Sequence, residues 1–65
     1  MTEMIAIGEG DTVTLLGEGG EWLVESFPNS SDGEISYYKE STGDFIQLPF
    51  NDGLRKVDRV TRKAS

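Results

Sequence analysis

Apolar and polar residues alternate along this chain in brief stretches, and turn residues separate one stretch from the next. Period-two runs bounded by Gly, Pro, Asn and Asp are the pattern of short strands. Residues 12–16, 21–27, 34–39, 45–48 and 55–60 fit it and predict five strands. Gly17, Gly19 and Gly20 break the first two runs, because glycine takes a positive φ without a steric penalty. Pro28 ends the second strand and Pro49 the fourth, since proline cannot donate to a ladder. Gly43 suits a tight hairpin turn between the third and fourth. Residues 51–54 predict one helical or 3-10 turn before the last strand. No stretch carries apolar residues at i, i+3, i+4 and i+7 over about eleven positions, so a long amphipathic helix is not expected.

Alternation also assigns faces. It puts Trp22 and Val24 on one side of the second strand and Leu23, Glu25 and Phe27 on the other. It pairs Ile35 with Tyr37, and Ser36 with Tyr38 on the opposite side.

The chain has 65 residues, enough for one domain. A domain of that size buries only about 60% of the surface its unfolded chain exposes. With no cysteine and no histidine, neither a disulfide nor a Cys/His zinc site can brace it. Lack of cysteine suits a reducing compartment. There is no apolar run long enough for a membrane span, and acidic Glu3 with no basic flank does not suit a secretory signal. A cytoplasmic protein without membrane contact is the expectation. The domain is placed at residues 9–60, between an extension (1–8) and a flexible tail (61–65).

Charge is unevenly spread. Residues 1–54 hold eleven acids and one base, Lys39; residues 55–65 hold five bases and one acid, Asp58. An acidic body repels a phosphate backbone, whose binding depends on Lys and Arg. The basic end offers the opposite: Arg55, Lys56, Arg59, Arg62 and Lys63 form a candidate contact arm.

Catalytic signals are sparse. Without histidine the serines lack the usual base, and the Gly-rich break at 17–20 has no P-loop lysine and leads into a strand. No enzyme activity, cofactor or metal is expected. The six aromatics are more informative, because alternation forces one of Tyr37 and Tyr38 outward.

The order of elements, with Gly10-Asp11-x-Val13, Gly20-x-Trp22-x-Val24, Ile46-x-Leu48-Pro49 and Leu54-Arg55-x-Val57, resembles SH3-like barrels and their Tudor and KOW relatives. It is similar to the accessory barrels ahead of bacterial SWI2/SNF2-type helicase motors. The resemblance implies an all-β, five-stranded closed barrel with a short 3-10 turn before the last strand, in a bacterial or phage protein. It also implies an exposed aromatic patch that binds a peptide or a cation.

The expected function is therefore a non-catalytic interaction module. It would bind a protein or peptide partner, or an adjacent domain, through Phe27, Tyr38 and Phe45 with an acidic rim of Glu25 and Glu40. The alternative is a nucleic-acid-associated, possibly helicase-linked domain using the five bases of residues 55–63.

Overall fold

A computed structural model describes residues 6–64. The residues 1–5 of the predicted extension lie outside it. Five strands are present, close to the expected places: β1 (Thr12–Leu15), β2 (Trp22–Ser26), β3 (Glu34–Lys39), β4 (Asp44–Pro49) and β5 (Val57–Arg62). They form one antiparallel sheet in the order β4-β3-β2-β1-β5.

Two expectations fail together. The sheet is not closed into a barrel, so the SH3-like resemblance does not hold, nor does the helicase-barrel likeness built on it: β4 and β5 are its two edges and do not pair. The connection before β5 is a true α-helix, α1 (Phe50–Lys56), and not a 3-10 turn. Physical reasons are legible in the segment. Phe50 and Leu54 stand one helical turn apart and both pack on the core, with buried Gly53 between them. Asp52 lies in the first turn and Arg55 and Lys56 in the last, as the helix dipole favours. Arg55 and Lys56 thus belong to the helix and not to the last strand.

That helix also bends the sheet. Edge strands of a flat five-stranded sheet stand about 19 Å apart at the usual strand spacing. Seven helical residues reach only about 10 Å. The sheet must curl to let α1 join β4 directly to β5, and Phe50 and Leu54 of α1 pack on its inner face.

The core lies between this inner face and α1. It contains Val13, Leu15, Trp22, Val24, Ile35, Tyr37 and Val57, so alternation grouped Trp22 with Val24 and Ile35 with Tyr37 correctly. Gly53 permits the close approach: a Cβ there would stand 3.0 Å from Ile35 Cδ1.

Bulges supply what strict alternation missed. Between Val24 and Ser26 the register with β3 slips by one residue. Glu25 and Ser26 both face outward, and Phe27 turns back to the core side. There its ring meets Phe50 edge-on at 5.5 Å. The expectation that Phe27 shares the face of Leu23 and Glu25 is overturned by that single extra residue. β5 slips twice against β1, and the slip between Arg59 and Val57 lets Val57 and Val60 both point inward, although they are three residues apart.

Tyr37 is fully buried, and its hydroxyl donates to the Gly53 carbonyl at 2.7 Å. Burial pushes its pKa from 10.0 up to about 12. The neutral phenol's contribution to stability is complete below pH 10 and declines as pH rises toward 12. Chemical denaturation of the natural chain and Tyr37→Phe between pH 8 and roughly 12 tests this. At pH 8 the variant is less stable by about 1 kcal/mol, the worth of one hydrogen bond. That gap narrows above pH 10. A constant gap would show that Tyr37 does not titrate with folding.

Candidate functional site

The face opposite the core carries a row of side chains that crosses the whole sheet. Directly opposed residues of antiparallel strands share a face. The register runs Arg62, Thr12, Leu23, Tyr38, Phe45, one from each strand. Leu23 is 37% exposed and Phe45 is 56% exposed, which is unusual for such large apolar groups. Tyr38, between them, is half-buried.

Leu23, Tyr38 and Thr12 line an open concavity of about 640 Å³. Glu21 and Glu25 border it from β2 and the residue before it, Glu40 and Ser41 from the loop after β3, and Arg62 from β5. Gly20, at φ +80°, brings the two loops together: a Cβ there would lie 2.8 Å from Lys39 Cε. The Lys39 ammonium sits 5.5 Å from the Trp22 ring centroid, tying the loop to the sheet through a cation–π contact.

Charge completes the site. Ion pairs among the described residues join Arg55 to Asp52 at 3.5 Å, Lys56 to Glu18 at 3.3 Å and Lys63 to Asp11 at 2.9 Å. None of these involves Glu21, Glu25 or Glu40. The concavity thus has an apolar floor with three carboxylates and the Arg62 guanidinium around it. Of the expected contact residues, Tyr38, Glu25 and Glu40 meet here, Phe45 stands next to Tyr38, and Phe27 is elsewhere.

The five bases do not gather on one surface. Arg55 and Lys56 are on α1, and Arg59 and Arg62 are on the outer face of β5, opposite Thr14 and Thr12. Lys63 is drawn to Asp11, beyond the end of β5.

Asp11, which entered the sequence analysis only within the Gly10-Asp11-x-Val13 motif, has a larger role. It is almost fully buried. Its carboxylate accepts the Ala64 N–H at 2.7 Å, the Lys63 ammonium at 2.9 Å and the Gly8 N–H at 2.9 Å. The Ala64 N–H, then Lys63, hold its pKa below the ordinary 3.8. Its backbone carbonyl also accepts the Val24 N–H at 2.8 Å. The segment expected to be a flexible tail contains the end of β5 and these two Asp11 partners. Leu23, by contrast, had a signal: alternation already placed it outside.

No group of three or more His, Cys, Asp or Glu side chains arranged to hold a metal ion is found among the described residues. No helix among them is long and apolar enough to cross a membrane. Comparison with protein-family models, curated proteins and solved structures finds no match for the chain.

Proposed function

We propose that this chain is a non-catalytic interaction module that binds a Lys- or Arg-bearing segment of a protein partner on the outer face of its sheet. One observation carries the reading: the register sets Leu23, Tyr38 and Phe45 side by side, with Glu21, Glu25 and Glu40 around the concavity beside them. Apolar stems of Lys and Arg pack on such a floor while their charged heads reach the carboxylates. The engagement of Arg55, Lys56 and Lys63 with carboxylates of the same chain supports a protein ligand over a nucleic acid.

A seven-residue peptide alternating lysine and valine is a suitable probe, with binding followed by fluorescence anisotropy. Tyr38→Ala should weaken binding about tenfold, as loss of a central aromatic contact does. Its melting curve should stay near that of the natural chain, because Tyr38 is outside the core. A 20-base-pair DNA duplex should not compete. Tight DNA binding with a steep salt dependence, unaffected by Tyr38→Ala, would overturn the reading in favour of a nucleic-acid ligand.

A further inference from the structure

The two edges of the sheet differ in a way that bears on how a partner docks. β5 has two register slips and carries Asp58, Arg59 and Arg62. Bulges and charges are the devices that protect an edge from pairing. β4 has no bulge: its six residues match β3 without a slip, and its charge and its proline, Asp44 and Pro49, stand at its two ends and leave residues 45–48 between them unprotected. Among the described residues no strand pairs with the other side of β4.

The phase of the ladder shows what that side offers. The Phe50 N–H donates to the Gly33 carbonyl at 3.1 Å, and these two residues continue the register of β4 on β3, so the position next to Glu34 and Pro49 is a bonded one. Bonded and non-bonded pairs alternate between antiparallel strands. Pro49, opposite Glu34, has no N–H and falls on a non-bonded position, as the alternation requires. Leu48 and Ile46 then bond to β3. Phe45 and Gln47 direct their N–H and C=O groups away from the sheet, joined by the Pro49 carbonyl.

We propose that β4 accepts an extended segment of a protein partner as a sixth strand, antiparallel or parallel, with apolar residues facing inward and basic residues facing outward. On the inner side alternate residues would cover Ile46 and Leu48, which are only partly buried at the margin of the core. On the outer side they would lie beside Phe45, in line with Tyr38 and Leu23. Charge selects the occupant. Asp44 is in the strand itself, with Glu40 in the loop before it and Glu34 opposite its last residue, so the edge attracts a basic segment. A second copy of this chain brings a net charge of −6 of its own and is disfavoured. This inference rests on the proposed protein-binding role, and it adds backbone pairing to contact with the face.

The test uses the same lysine–valine peptide, observed by NMR with the natural chain. Binding should shift the amide signals of Phe45 and Gln47 and slow their hydrogen exchange at least tenfold, while Thr61 and Arg62 on β5 change little. A peptide methylated on the backbone nitrogens of alternate residues, made in both phases, should lose at least tenfold affinity in one phase. If both methylated peptides bind as well as the parent and shifts centre on Leu23 and Tyr38, strand addition is overturned while the face reading stands. If the peptide does not bind at all, the face reading fails with it. A concentration-dependent dimer in sedimentation, with exchange slowed at Phe45 and Gln47 in the absence of peptide, would overturn the proposal in favour of a second copy.

Discussion

Trp22→Ala abolishes cooperative unfolding at room temperature. The ring is 2% exposed at the centre of the core, and its Nε1–H donates to the Gly19 carbonyl at 3.3 Å. Truncating a buried Trp costs about 3–5 kcal/mol in lost transfer energy and cavity. A domain of this length has roughly 3–10 kcal/mol in total. The substitution also removes the surface on which Lys39 rests, and with it an anchor of the loop bearing Gly20 and Glu21. Circular dichroism on heating should show a shallow drift in place of a sigmoid. Trp22→Phe, which keeps most of the volume, should retain a transition at lower temperature. A sharp melt for Trp22→Ala would mean that the core is organised around other residues.

Asp11→Ala is the second large effect, of about 2–4 kcal/mol, because it leaves the Gly8 and Ala64 N–H groups without their acceptor. Lys63→Ala should cost clearly less, since its side chain is 62% exposed and solvent screens the pair. Acid gives an independent readout. Because folding lowers the Asp11 pKa, its contribution is complete well above 3.8, begins to fade as pH approaches that value, and is lost below the folded-state pKa. Urea midpoints measured from pH 7 to 2 should therefore decline less for Asp11→Asn than for the natural chain. Equal costs for Asp11→Ala and Lys63→Ala would assign the stabilisation to the ion pair and not to the backbone donors.

Local pattern revealed much of this molecule. Alternation in residues 21–24 and 34–39 grouped Trp22 with Val24 and Ile35 with Tyr37, the pairs that prove to be core, because a half-buried strand enforces period two. It lost track of Phe27 after one inserted residue, and no residue type at Glu25 or Ser26 announces a bulge. That the sheet stays open was equally hidden, because it depends on whether β4 and β5 pair, and those strands carry no local signal of their partners. The helix in place of a 3-10 turn was hidden too, since Phe50, Gly53 and Leu54 pack on strands distant in sequence. At the candidate site, Tyr38, Phe45, Glu25 and Glu40 were readable as exposed groups. Their arrangement was not: register between strands decides it. The role of Asp11 had no sequence signal, since Lys63 and Ala64 lie more than fifty residues away.

The Asp11 clasp has an architectural consequence. Residues 8 and 64 are held against one carboxylate, so the polypeptide enters and leaves the sheet at neighbouring points. The segment 8–64 can be spliced into a surface loop of a host protein without prying that loop apart. A short peptide linking residue 64 to residue 8 would likewise permit new termini to be opened at the β3–β4 hairpin.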